Sequence, residues 1–240
     1  MNFSFCIWLT YEEAVLDSPF ETASIGYKIT VPDEDAVIIR GRGDNWRNWY
    51  KVNLIQNDTT LFLDSLAFNL KGNDLYVSSL EFSNDAKMLL VRTDFKPIWR
   101  YSYSATYYLY DLMNKKLFPL SDENKDLRNV KFAPTSDRIA YVRQDNNIYV
   151  YDIKRDRERR LTTSGSEFVS NGHFGWLYEE ELTGFDAYRW SPDGKSICYW
   201  EEDNSMVKDF SIIDDLAQYP TITKIKYPKA GETNPTLKIG

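Results

Sequence analysis

The stretch "FAPTSDRIAYVR", residues 132–143, decides how this chain folds. A Pro-Thr-Ser-Asp run made of turn-forming residues leads at once into a short apolar segment of β-branched and aromatic side chains. The same two-part pattern occurs as "VPDEDAVIIR" from Val31, "FSNDAKMLLVR" from Phe82 and "WSPDGKSICYW" from Trp190. The anchors Val31, Phe82, Phe132 and Trp190 stand 51, 50 and 58 residues apart. A second pattern accompanies the first in "YYLYDLMNKKLFPL" from Tyr107 and "NIYVYDIKRDRERRLT" from Asn147. Each is a strand ending in Tyr-Asp, a polar turn and a returning strand.

Repeats of about 50 residues built from short strands point to β-propeller blades, small antiparallel sheets that must bury their faces against neighbours. The expected fold is therefore all-β, with about four blades at roughly 24–66, 67–118, 119–165 and 166–240. Four is the lower limit for a closed ring. The closing "NPTLKIG" begins another strand, so the chain is expected to form part of a larger propeller.

Composition agrees with a strand-rich, globular chain. Of 240 residues, 42% are hydrophobic and 15% aromatic, which suits pleated, half-buried surfaces. The net charge of −7 argues against a nucleic-acid partner and favours a cationic ligand group. No apolar run is long enough to span a membrane. The N-terminal "MNFSFCIWLTYEEAV" lacks the basic region and cleavage site of a signal peptide. Cys6 and Cys198 make neither a disulfide framework nor a metal spacing, so no metal or cofactor is expected. The single histidine, His173, has no nucleophile motif to serve, and G-x-S-x-G, H-E-x-x-H and P-loop patterns are all missing. A structural His173 and no catalytic residue are the expectation.

The longest spacing between anchors contains "GWLYEEELTGFDAYRW", residues 175–190. Insertions into a repeat usually emerge on one face and carry function. The insert should be a short helical turn near 176–182. Three adjacent carboxylates repel one another, so Glu179, Glu180 and Glu181 form either a solvated face or a site for a cation.

Three blocks give the chain a family resemblance: "WRYSYSATYYLYDL" from Trp99, "NGHFGWLYEEEL" from Asn171 with the following "FDAYRWSPDGKSICYW", and "QYPTITKIKYPKAGETNP" from Gln218. In these it resembles the N-terminal propeller of the dipeptidyl peptidase IV family, over most of the chain from about residue 60. The resemblance implies an eight-bladed propeller capping an α/β-hydrolase domain, here absent, whose Ser-Asp-His triad removes N-terminal X-Pro dipeptides. It implies that Glu180 and Glu181 hold the free amino group of a peptide N-terminus. It assigns Arg100 to a substrate carbonyl and to bracing the glutamates. Glu179 is then a structural partner, while Trp176 and Tyr178 wall and orient the glutamate turn. The third block implies an arm at about 207–235 that reaches a second subunit of a homodimer. A periplasmic or exported location is also what the resemblance implies. A stand-alone propeller that binds protein partners through its rim is the competing reading.

Overall fold

The computed structural model describes residues 28–216 and 218–240, so Cys6 and the N-terminal apolar run lie outside the described residues. The first sheet joins β1 (Lys28–Thr30), β2 (Ala36–Arg40), β3 (Trp49–Asn53) and β4 (Thr59–Leu63) in chain order. A small pair, β5 (Asn69–Leu70) and β6 (Asn73–Asp74), precedes the second sheet. That sheet contains β7 (Ser79–Phe82), β8 (Met88–Pro97), β9 (Tyr103–Asp111) and β10 (Lys116–Pro119). The third holds β11 (Arg128–Phe132), β12 (Arg138–Val142), β13 (Ile148–Asp152) and β14 (Arg157–Arg160). All neighbouring strands in these three sheets are antiparallel.

The repeated sequence pattern is the turn between the first two strands of each sheet. In all four copies an N–H bonds the carbonyl five residues on: Val31 to Ala36, Ser83 to Met88, Ala133 to Arg138 and Ser191 to Ser196. Three of these turns place a residue with positive φ at the same point, Ala86, Ser136 and Gly194. The Tyr-Asp pattern is the later hairpin. Asp111 Oδ1 accepts the amides of Met113 and Asn114, both at 2.9 Å, and Asp152 Oδ1 accepts that of Arg155 at 3.0 Å. An Asp at this point thus closes the turn with its own side chain.

The sheets stack face to face through three apolar layers. Ile38 and Trp49 of the first sheet meet Leu80, Leu89 and Val91 of the second. Leu90 and Leu109 meet Ile139 and Tyr141 of the third, and Ala140, Val142 and Ile148 meet Tyr188 of the fourth. Successive residues of β8 and β12 therefore enter different layers. Side chains alternate across a strand, so a strand buried on both faces needs the continuous apolar runs "MLLV" and "IAYV" rather than an alternating pattern. The result is an all-β arc of propeller blades carrying one α-helix among the described residues.

The fourth sheet departs from the repeat. Its first strand is split into β15 (Val169–Asn171) and β16 (Tyr188–Trp190), which pair with one strand, β17 (Ile197–Asp203). Helix α1 (Trp176–Leu182) occupies the break. A hairpin of β18 (Asp209–Asp214) and β19 (Thr221–Lys226) follows, before β20 (Thr236–Ile239) returns to pair with β17. The closing segment "NPTLKIG" is thus a strand of the fourth sheet.

Tyr188 ties the third and fourth sheets together. It is 1% exposed, and its hydroxyl faces two carbonyls of the third sheet, Asn129 and Ala140. Tyr188→Phe should leave both buried acceptors without that donor and lower stability by about 1–3 kcal/mol. Urea unfolding of the two proteins measures the difference, and equal midpoints would remove the hydroxyl from the account.

Candidate functional site

Two excursions from the regular blades meet at one place. The first is the β8–β9 hairpin, whose strands run for ten and nine residues against five in β12 and β13. An irregularity between Thr93 and Lys96, with Asp94 at φ 46°, bends it where it leaves the sheet. Ile98 N–H bonds the Ser102 carbonyl at 2.9 Å and closes a tip that carries Arg100.

The second excursion is the insert that splits the first strand of the fourth sheet. Its legs are laced at the base by Phe174 N–H to Phe185 O and Ala187 N–H to Gly172 O, both 3.2 Å. Gly172 has φ 77°, and a Cβ there would lie 2.9 Å from Ile148, so a side chain is excluded on both counts. Gly175 precedes the helix and has no side chain with which to cap it. Its N–H instead donates to the buried Glu202 carboxylate at 2.6 Å. Thr183, at φ 56°, ends the helix, and Gly184 N–H returns to the Tyr178 carbonyl at 2.9 Å.

The three glutamates occupy three different environments. Glu179 is fully buried, and its Oε1 accepts the amides of Tyr101 at 2.6 Å and Ser102 at 2.7 Å. Glu180 accepts Arg100 Nε at 2.8 Å and the Arg100 amide at 3.3 Å. Three successive amides of the tip therefore donate to two carboxylates of α1. Glu181 is exposed and has no hydrogen bond or ion pair among the described residues. Helical neighbours diverge by about 100°, so one short helix can bury one carboxylate, pair the next and leave the third in solvent.

The Arg100 side chain is 66% exposed, whereas that of Glu180 is 14% exposed. Arg100 uses Nε on Glu180, and its two terminal nitrogens make no hydrogen bond among the described residues. The salt bridge by itself contributes little to stability at that exposure. It does aim a planar donor fork beside a carboxylate.

Trp176 and Tyr178 pack against aromatic rings around the helix. Tyr178 stacks on Phe174 at 5.0 Å, and Trp176 meets Tyr227 edge-on at 5.1 Å. Tyr101 stacks on Phe185 at 6.4 Å, adding an apolar contact between tip and insert. His173 is packed into the root of the insert. Its Nε2 lies 2.9 Å from Asn146 Oδ1 and its Nδ1 3.3 Å from the Phe174 carbonyl oxygen. Burial, with the nearby Arg128 charge, takes its pKa down to about 3. Burial also pushes the Glu202 carboxyl above its ordinary range, against the opposing bonds from Gly175 and Asn204. Glu202 and the tip amides are participants that the sequence pattern did not single out. The "EEDN" run at residues 201–204 carries the first, and no residue-type signal carries the second. Among the described residues no group of side chains suits a metal ion, and no helix is long and apolar enough to cross a membrane.

An all-β arc of blades with an acidic helix inserted at one blade edge defines a partial propeller that presents a charged edge. The family model for the dipeptidyl peptidase IV N-terminal region matches residues 83–240, and the chain belongs to that family. It is similar to dipeptidyl aminopeptidase B of Saccharomyces cerevisiae, 33% identical over 231 residues, covering 94% of this chain and 26% of that protein. The prolyl endopeptidase FAP of Mus musculus is 37% identical over 161 residues, 65% of this chain and 21% of the relative. In structure it is similar to Porphyromonas gingivalis dipeptidyl peptidase 4, with TM-score 0.78 and 28% identity, over 88% of this chain and 30% of that one. The chain thus spans about a quarter of the length of the curated relatives it matches.

The His173 imidazole, packed into the root of the insert, sets a pH dependence. The folded state holds His173 neutral down to about pH 3, while the unfolded chain takes up a proton near pH 6.5. The associated stability is fully present above about 6.5 and is lost as pH falls toward 3, by up to about 1.4 kcal/mol per pH unit. Unfolding free energies between pH 6.5 and 5 should fall less steeply in His173→Gln than in the wild type. Parallel slopes would mean that the ring is not held neutral.

Proposed function

We propose that this chain is the substrate-recognition region of a serine dipeptidyl peptidase and that its insert binds the free amino terminus of a peptide. Glu180 and Glu181 hold the terminal ammonium, and the free fork of Arg100 takes the neighbouring carbonyl. Peptide-bond cleavage belongs to a hydrolase domain outside the 240 residues. The family membership supports the general reading. The observation that carries the specific one is the docking of the Arg100 tip onto α1 by three successive amides.

The chemistry favours an ammonium over other cations of similar size. It offers three donors and one charge, and two adjacent carboxylates offer acceptors whose mutual repulsion it relieves. The Arg100–Glu180 pair keeps one carboxylate oriented before a ligand arrives. The exposed, unpaired Glu181 costs nothing to recruit. Such a clamp accepts a chain end and rejects a blocked one, which fixes the distance from the end at which any cleavage would fall.

Titration of the 240-residue chain with a Gly-Pro peptide, followed by NMR, should perturb the signals of α1 and residues 98–102. The N-acetylated peptide should not. Because a hydrogen bond to a charged group contributes about 1.5–3 kcal/mol, Glu180→Gln and Glu181→Gln should each weaken binding about 10- to 150-fold. Equal binding of free and acetylated peptides would reject the clamp.

A homodimer formed through the β18–β19 arm is the second part of the proposal. Ile212, Ile213, Leu216, Tyr219 and Ile222 are all exposed on this hairpin, a density of apolar surface that single scattered residues do not give. Ile213 and Ile222 are cross-strand partners. The wild type should sediment as a dimer, and Ile213→Glu/Ile222→Glu as a monomer. A monomeric wild type would overturn this role for the arm.

A further inference from the structure

Glu179 poses a problem that its hydrogen bonds do not solve. The side chain is fully buried, and its Oε1 accepts two amides, but its Oε2 is buried and has no hydrogen-bond partner. Two backbone dipoles are a thin counterweight for a carboxylate taken out of water. Arg100, the cation nearest in sequence to those amides, is spent on Glu180. Lys96 and Gln144 are spent on Asp126.

A further cation lies against the insert: Arg128, at the start of β11. Among the described residues it makes no ion-pair contact within 4 Å, and its Nε is buried without a partner. Its one side-chain hydrogen-bond contact among the described residues is Nη1 at 3.5 Å from His173 Nε2, a ring held neutral. Burial lowers the Arg128 pKa, against the opposing charges of Asp126 and Glu179, and the Leu127–Ala105 bridge beside it sets it against the hairpin that carries Tyr101 and Ser102. Asp126 already has Lys96 at 2.7 Å. Glu179 makes no ion pair within 4 Å among the described residues. Ser102, whose amide bonds Glu179, also has its hydroxyl buried and unpartnered.

We infer that Arg128 is a positioning residue: its guanidinium is the counter-charge that lets Glu179 stay buried and keep the Arg100 tip docked on α1. The inference rests on the amine-clamp reading for its functional meaning, but not for its test. Arg128 touches no proposed ligand position. It acts through Glu179, then through the amides of Tyr101 and Ser102, on the placement of Arg100 beside Glu180. A hairpin tip held by only a few bonds is among the first places to open when one of them weakens.

Amide hydrogen exchange of the 240-residue chain, without any peptide, reads this directly at Tyr101 and Ser102. In Arg128→Met the apolar stem remains and the charge is gone. Exchange at both amides should speed up by about tenfold or more, since breaking one side of a buried charge pair is costly. Amides of Leu109 and Tyr110 in the same β9 strand should stay at wild-type protection and report that the sheet is intact. Arg128→Lys should keep most of the protection, because charge rather than fork geometry is what the site requires. The double variant Arg128→Met/Glu179→Gln should regain it as well, because a neutral amide oxygen accepts both N–H groups without a counter-charge. Unchanged exchange in Arg128→Met, or a double variant no better protected than the single one, would overturn the inference. Peptide titration of the same proteins tests the clamp separately. Loss of tip protection without an effect of N-acetylation in the wild type would reject the clamp and leave the Arg128 inference standing.

Discussion

A buried carboxylate that accepts two adjacent backbone amides is the constraint on which the charged edge depends. Glu179 fixes the tip of a long hairpin from the second sheet against a helix from the fourth. Neither element could hold the other by apolar burial alone. The helix has only seven residues, below the length at which an isolated helix is stable in water. The hairpin tip contributes one aromatic contact, Tyr101 on Phe185. Hydrogen bonds to a charged acceptor are stronger than neutral ones and more exacting in direction. They therefore set position, which the diffuse attraction of the apolar layers cannot do.

The stacked blades supply the rigidity behind that contact. Strands β8 and β12 each feed two apolar layers, so the second and third sheets are clamped on both faces. A hairpin can extend well beyond its blade only if its lower half is held this way. The insert gains its footing differently. It breaks the first strand of its sheet, and the two halves keep their pairing with β17 on either side of the break. The ladder is interrupted rather than lost, and the base of the insert is laced by its own backbone bonds.

Much of this was legible in the residues. The turn pattern fixed four sheets because each copy asks for the same backbone bond between positions five apart. The continuous apolar runs that follow belong to strands covered on both sides, and aromatic content pointed the same way. The glutamate turn was legible as an excess of length between two anchors, and the helix lies over residues 176–182 as the local pattern suggests. The partners of those glutamates were not legible from residue types. Tyr101 and Ser102 act through backbone amides, which every non-proline residue carries. Arg128 and Glu202 lie 51 and 23 residues from Glu179, in other strands; Glu202 reaches the start of α1 from a strand of the same sheet, and Arg128 reaches the insert only because the third sheet stacks on the fourth. The family resemblance gave Arg100 a place beside the trio, which spacing alone could not do.

The insert and the arm are joined by more than their common sheet. Trp176 at the start of α1 meets Tyr227 just beyond β19, and Tyr227 lies 5.5 Å from Phe210 on β18. Tyr227 N–H also bonds the Lys208 carbonyl at the opposite root of the hairpin. The helix N-terminus is held from its other side by Glu202, whose strand β17 leads directly into the arm. Packed aromatic side chains and short hydrogen bonds transmit displacement because such interiors have little free volume. The carboxylate edge and the exposed apolar hairpin thus share one support, the aromatic and backbone contacts at the start of α1.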